Sequence, residues 1–295
     1  MSKTLSLICA LITTFIWGTA FIAQDTGMDN IGPLTFNASR FFVGFLTMLP
    51  IALILERRKI KLEISSNKKL FFKYLILMGI SLFLGTYFQQ AALQFTNIAN
   101  AAFFTVFYVP LVPILLFFIY SIKVHWSIWP SIGLCIIGVY LLSDFSNSEI
   151  MMGDALVILC SLFWALHIIF AGKFMEKFNI PIFYAALQAA LVFSLSVFFA
   201  YFLEEIVITK ILMEYSSILY AGVLSGGIAF TLQMFAQKNI EETPAAIIYS
   251  LEGVFATLAG WIILSQFLDI NNIIGCILIL FAVIFSQVTP TAKKL

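Results

Sequence analysis

Ten apolar runs, each near the length that crosses a bilayer, decide what this chain can fold into. A spanning helix needs about 20 predominantly apolar residues. Runs of that kind cover residues 4–24, 33–55, 72–93, 99–120, 126–143, 154–172, 181–203, 216–237, 244–268 and 271–289. Helix-starting and helix-stopping residues bound them: Gly32-Pro33, Asn179-Ile180-Pro181 and Glu242-Thr243-Pro244 open helices, Asn271 and Asn272 can cap one, and Pro290 closes the last. The chain is 62% hydrophobic and 11% charged, against roughly 45–50% apolar and about 25% charged in soluble domains. A water-soluble fold of this size could not hide that surface. The expected fold class is an all-α integral membrane protein with ten transmembrane helices in two inverted five-helix repeats, for the reasons that follow.

Charge sets the orientation and narrows the partners. Fourteen of the 16 Lys and Arg fall on one side when the runs are alternated, from Lys3 and the cluster Arg57, Arg58, Lys59 and Lys61 to Lys293 and Lys294. Lys210 stands alone on the other side, and Arg40 lies inside a run. By the positive-inside rule both termini are expected in the cytoplasm, with Asp25, Asp29, Asp144, Glu149, Asp154 and Asp269 on the opposite side. The net charge of +1 offers nothing for nucleic acid. The longest polar connection, residues 56–69, has room for a loop or a short interfacial helix but for no soluble domain. Any function therefore belongs to the bundle. Cys9, Cys135, Cys160 and Cys276 sit inside apolar runs without metal-ligand or disulfide spacing, so they read as inert packing. The first run is long and lacks a small-residue cleavage site, which reads as a retained span and not a signal peptide.

The chain repeats itself. Phe15-Ile16-Trp17-Gly18 resembles Leu162-Phe163-Trp164-Ala165 at an offset of 147, and at an offset of 143 Gln90 falls on Gln233 and Gln94 on Gln237. The run Pro110-Leu111-Val112-Pro113 falls on Gly253-Val254-Phe255-Ala256, and Gly133 matches Gly275. Five spans per half is an odd number, so the second half enters the membrane from the opposite face. Inverted repeats place a site near the midplane, exposed to each side alternately, as in many secondary transporters.

Few ionisable groups lie within the runs, where each costs roughly 2.5–3.5 kcal/mol on insertion scales and normally faces the bundle interior. Glu252 is a candidate proton- or substrate-binding carboxylate and Arg40 a candidate anion contact; each could instead make a structural hydrogen bond, or the two could form a gate pair. His167 lies one turn after Trp164, as a proton relay or a packing residue, whereas His125 sits in a loop beside Trp126. Tyr87, Gln90 and Gln94 share one face of span 3, and Phe230, Gln233 and Gln237 repeat that spacing on span 8. Such amide faces suit a zwitterionic or amide-bearing substrate, and equally suit hydrogen bonds that join helices. Trp17, Trp164, Tyr108 and Tyr249 offer surfaces for stacking on a ligand, cation binding included, or for core packing. Pro110 and Pro113 should bend span 4 and free carbonyls, and Gly222-Val223-Leu224-Ser225-Gly226 has the small-xxx-small spacing of helix packing. Asn37-Ala38-Ser39 has the spacing of a glycosylation acceptor but lies inside a span. The chain has no P-loop, H-E-x-x-H or G-x-S-x-G motif.

Two segments carry a family resemblance. Trp17-Gly18-Thr19-Ala20-Phe21-Ile22-Ala23-Gln24, followed by Gly27-Met28-Asp29, Gly32-Pro33 and Phe36-Asn37-Ala38-Ser39-Arg40-Phe41, resembles the opening of an EamA-type member of the drug/metabolite transporter (DMT) superfamily. So does the second half, with Ala221 to Gly227 and Ala245 to Ala256. The resemblance implies repeats at residues 1–145 and 150–290 with a tail at 291–295, no cofactor and no metal, and no enzyme. It also implies export or exchange of a small-molecule substrate such as an amino acid across a bacterial inner membrane, with the lipid bilayer as surroundings and homodimer formation open. Two positions depart from the family pattern: Gly253, where Pro or Ala is usual and a looser helix follows, and Ser265-Gln266, where Gly-Glu is common. The rival expectations are an intramembrane enzyme acting on lipid with His167 as base, and a membrane sensor or scaffold that binds without transport.

Overall fold

The computed structural model describes residues 1–96, 98–143, 152–264, 269–288 and 293–294. Among them, nine helical segments are long and apolar enough to cross a membrane, and a further apolar helix, Ile128–Leu142, is shorter. The chain is a ten-helix, all-α membrane protein. Spans 1 to 3 are Lys3–Thr26, Pro33–Leu55 and Lys68–Ala92, and span 4 is the pair Ile98–Thr105 and Tyr108–Tyr120. Spans 5 to 7 are Ile128–Leu142, Met152–Met175 and Pro181–Leu203, and span 8 is Tyr215–Ala236. Span 9 is the pair Glu242–Tyr249 and Leu251–Leu264, and span 10 is Ile270–Val288.

The expected limits hold to about one turn. Span 3 starts earlier than its apolar run because the Asn67 side chain accepts from the Leu70 N–H and caps it, which draws Lys68 and Lys69 into the helix. The polar connection before it folds as the short exposed helix Arg57–Ser66. Asp144, Glu149, Ser265, Gln266 and Pro290 lie outside the described residues.

Both ends of the chain lie on one face. The Asn239 amide, between spans 8 and 9, donates to the Met1 carbonyl. Ile122–Lys123, between spans 4 and 5, pairs antiparallel with Lys293–Lys294, setting Ile122 opposite Lys294. This is the termini face, and the opposite one is the distal face.

Spans 2 and 7 show how the halves are related. Each opens with proline at its first turn, where the missing N–H is no loss. Each is followed by a glutamate, and each glutamate caps the other helix. The Glu204 carboxylate accepts from the Leu34 and Thr35 N–H groups at 2.8 Å and from the Thr35 hydroxyl at 2.7 Å. The Glu56 carboxylate accepts from the Ile182 and Phe183 N–H groups at 3.2 and 2.8 Å. A negative charge at a helix N-terminus satisfies orphan donors and complements the dipole. Burial pushes the Glu56 carboxyl up, against the pull of the Phe183 and Ile182 N–H groups and of Lys59. If the end of each helix meets the start of the other, the two run antiparallel. The equivalent helices of the two halves therefore point in opposite directions.

Packing obeys the same exchange. Span 3 packs on span 6 as span 8 packs on span 1, span 4 packs on span 6 as span 9 packs on span 1, and span 5 lies along span 10. Gly222 and Gly226 realise the small-xxx-small motif against span 2. A Cβ on Gly222 would lie 2.6 Å from the Val43 Cβ, and one on Gly44 would lie 2.9 Å from the Gly226 carbonyl carbon. The Gly222 and Gly226 segment, Tyr220–Ala229, is π-helical, a winding common near functional sites.

Spans 4 and 9, which exchange under the same relation, are both broken near mid-span. In span 4 the break falls just before Pro110, which has no N–H to return to the Val106 carbonyl; Val109 donates to that carbonyl instead. In span 9 it falls at Ser250, where the Gly253 N–H donates to the Ser250 carbonyl. Gly253 is not needed for space, since a Cβ there would meet only Leu142 at 3.8 Å. The break belongs to Ser250 and has a counterpart in span 4 that contains no glycine.

Candidate functional site

The two breaks face each other across a buried cavity of about 30 Å³ between spans 1, 2, 3, 4, 6, 8 and 9. Its floor is aromatic. The Trp17 ring lies 6.1 Å from Trp164, 5.2 Å from Phe230 and 5.6 Å from Tyr249, and Trp164 stacks on Phe230 at 6.1 Å. Trp17 and Trp164, equivalent residues of the two halves, thus meet at the middle of the bundle. Gly18 lets span 1 lie close against span 9, because any Cβ on it would stand 2.6 Å from the Glu252 carbonyl oxygen and from the Phe255 Cβ.

Above the aromatic layer, toward the distal face, the lining turns polar: Gln24, Arg40, Thr86, Gln89, Thr105, Tyr108, Ser225 and Glu252. Arg40 is 3% exposed. Its Nε donates to Asn37 Oδ1 at 2.8 Å and its Nη1 to Gln24 Oε1 at 2.9 Å, while the Phe36 and Phe41 rings lie 5.5 and 5.1 Å from the guanidinium. Among the described residues no carboxylate comes within ion-pair distance of it. A buried cation held by amides and ring faces is neutralised by none of them. Glu252, buried across the cavity, accepts from the Tyr108 hydroxyl at 3.3 Å. Tyr249, which also lines the cavity, has a hydroxyl with no protein partner among the described residues. The site thus offers one positive group, one carboxyl, one unused hydroxyl and a flat aromatic wall.

Of the sequence candidates, Trp17, Arg40, Tyr108, Trp164, Tyr249 and Glu252 line this cavity. The others do not. Span 3 ends at Ala92, so Gln94 falls in the following turn and is exposed instead of continuing a face. Gln90 points away from the cavity and donates to the Gln24 carbonyl at 2.7 Å, tying span 3 to span 1. Gln237 donates to the Ile168 carbonyl at 2.7 Å and accepts from Gln233, tying span 8 to span 6 in the same way. Gln90 and Gln237 thus join helices, whereas Gln94 and Gln233 do not. Tyr87 stacks on Phe83, and His167 bonds Gln188 at 3.0 Å outside the cavity. Arg40 and Glu252 do not pair; their partners are Gln24 and Asn37 for one and Tyr108 for the other.

Sequence reasoning passed over Phe21, Gln24, Thr86, Gln89, Thr105 and Phe230 as lining residues. Trp17, Phe21 and Gln24 stand at i, i+4 and i+7, so a face drawn through Trp17 would have found the last two. Gln89 differs from Gln90 by one residue, which turns the side chain by about 100° around the helix.

Ten helices in two inverted halves, enclosing a polar site at mid-depth beside two broken helices, are the architecture of a membrane transporter. The sequence profile of the EamA-like transporter family matches residues 4–144 and again residues 151–287. The chain belongs to that family. It is 33% identical to an uncharacterized transporter of Archaeoglobus fulgidus over 92% of this chain and 82% of that protein. It is 23% identical to the uncharacterized transporter YoaV of Bacillus subtilis over 95% of this chain and 96% of that one. One crystal structure superposes with a TM-score of 0.77 at 15% identity, covering 97% of each chain, which speaks for the fold alone.

Proposed function

We propose that the protein is a secondary transporter of the bacterial inner membrane that exports a small carboxylate-bearing metabolite, of the amino-acid class, by alternating access between its two repeats. The observation that carries this reading is Arg40, a buried guanidinium with no acidic partner among the described residues, in a cavity that it shares with Glu252. A substrate carboxylate would supply the missing anion through charge-assisted hydrogen bonds. Glu252 would take the ammonium or a proton, and Trp17, Trp164 and Tyr249 would cover the remainder. Fourteen of 16 basic side chains in the termini-side segments support a cytoplasmic termini face. Repeats at residues 1–145 and 150–290 would rock about the Trp17–Trp164 contact.

The test is metabolite profiling of bacterial cells that express the wild type, Arg40→Gln or Glu252→Gln at equal membrane levels. The expected result is one class of carboxylates that accumulates outside only with the wild type. Normal export by Arg40→Gln would remove the anion site. Normal export by Glu252→Gln with an unchanged pH dependence would remove proton coupling at that residue.

A further inference from the structure

Arg40 has a counterpart that the cavity does not contain. Pro33, Arg40 and Glu56 of the first half stand 148 positions before Pro181, Gln188 and Glu204 of the second. The prolines and the glutamates of this series occupy equivalent places, as their reciprocal caps show. Gln188 is therefore to the termini half of the bundle what Arg40 is to the distal half. The surroundings agree. Arg40 on span 2 is held by Gln24 from span 1, while Gln90 of span 3 bonds the Gln24 carbonyl. Gln188 on span 7 bonds His167 from span 6, while Gln237 of span 8 bonds the Ile168 carbonyl. His167 lies three residues after Trp164 where Gln24 lies seven after Trp17, so the helix match holds although the residue match does not.

The second cluster is also incompletely satisfied. His167 Nδ1, Gln188 Nε2, Gln233 Oε1 and the Tyr184 hydroxyl are buried without a partner among the described residues. Tyr184 stands one turn from Gln188 toward the termini face on the same side of span 7. Unused polar groups inside a bundle are costly, and four on adjoining helices call for an occupant in some state. The cluster adjoins the aromatic layer through His167, whose ring packs edge-on against Trp164 at 6.0 Å and Phe230 at 5.7 Å, both of which line the cavity.

We propose that His167 and Gln188 form a second substrate station, which receives the polar end of the substrate when the bundle opens to the termini face. It holds that end by neutral hydrogen bonds where the first station uses a guanidinium. The inference rests on the transport reading, and the experiment separates the two. Single cysteines are placed at residues 40, 167 and 188 in a chain whose four native cysteines are replaced by serine or alanine. Membrane vesicles of both orientations are then treated with a trimethylammonium methanethiosulfonate that cannot cross the bilayer. Arg40→Cys should react from the distal face, and His167→Cys and Gln188→Cys from the termini face. If both of the latter are inert, or react from the distal face, while Arg40→Cys reacts as expected, the second station is wrong and the cavity stands. If Arg40→Cys is inert from both faces, the cavity reading itself fails. Two separate positions test the station, so misfolding of one variant does not decide the result.

Discussion

Glu56 and Glu204 are the same residue at equivalent helix ends, whereas Arg40 and Gln188 are different residues at equivalent helix middles. The contrast separates two demands on an inverted repeat. Helix ends must be capped alike in both halves, because each half supplies the other's cap and the fold depends on both. On the proposed reading, Arg40 and Gln188 would each serve the path in only one of the two states. A charge at Arg40 and an amide at Gln188 would let the substrate meet different affinities on the two faces. Which way the substrate flows is then set by gradients and by coupling, since unequal affinity alone drives no net transport.

The faces differ too, and that difference gives the largest expected effect. On the termini face Lys173 joins spans 6 and 9: its Nζ lies 2.9 Å from Glu242 Oε1 with both side chains 8% exposed, and it also pairs with Glu176. The distal face is held by neutral or half-neutral contacts: Thr26 with Ser217, Thr19 with the Tyr220 hydroxyl, and the Asn30 amide on Glu214. Removing one member of a buried ion pair costs about 3–5 kcal/mol. On the alternating-access reading, Lys173→Met should therefore loosen this contact and raise the rate at which Gln188→Cys is modified from the termini face. Ser217→Ala should leave that rate nearly unchanged. Equal rates in wild-type and Lys173→Met backgrounds would mean that the ion pair is not a lock.

Next in size is the contrast between the two stations. Arg40→Gln makes the distal station resemble its counterpart and removes hydrogen bonds to a charged group, each worth about 1.5–3 kcal/mol. Binding from the distal face should weaken by roughly 10- to 100-fold on that scale. Equilibrium binding to the purified protein of the metabolite class found by profiling would measure it. An unchanged affinity would place the substrate carboxylate elsewhere.

The caps predict equality. Glu56→Ala and Glu204→Ala each leave two buried helix-start N–H groups without their acceptor, a cost of about 1–3 kcal/mol per group, and the Thr35 hydroxyl freed by Glu204→Ala can turn to another acceptor. The two losses should agree closely in a denaturant titration in detergent. A large difference would show that the reciprocal arrangement is stronger on one face, and would weaken the equivalence on which the Gln188 assignment depends.

Much of this architecture is legible in the sequence, and the reason is physical. Bilayer thickness fixes helix length, charge bias follows the faces, and an odd number of spans in a duplicated half forces inversion. Six of the twelve candidate residues reach the cavity, and most of those six are the large or charged groups that have few other places to go in a bundle. Neutral amides were the harder reading, because a buried glutamine satisfies itself equally well on a carbonyl of the next helix or on a ligand. Which of those occurs depends on rotation by a single residue, and on where a helix ends. Pro110 marks the break in span 4, and Gly253, its match in the repeat, marks a loosened helix in span 9, although the break itself falls three residues earlier at Ser250. The Pro, Arg or Gln, and Glu series at an offset of 148 was present in the sequence. It gains meaning only once the two glutamates are seen to exchange helix ends.

The smallest effects test the amide reading itself. Gln90 donates one hydrogen bond to the Gln24 carbonyl, and Gln24 in turn accepts from Arg40 through its side chain. Interhelical bonds of this kind average about 0.6 kcal/mol, so Gln90→Leu should lower stability by about that amount while binding changes only through any shift of Gln24. Gln94, exposed in the turn after span 3, is free of both duties, and Gln94→Ala should stay within about 0.5 kcal/mol of wild type with normal transport. The pair is diagnostic because sequence periodicity treats the two residues as one face. If Gln94→Ala impaired transport as strongly as Arg40→Gln, the amide stripe would line the path after all, and span 3 would have to continue beyond Ala92 in the transporting state. If Gln90→Leu weakened binding far more than it weakened the fold, Gln90 would be holding Gln24, and through it the guanidinium, in the geometry that the substrate needs.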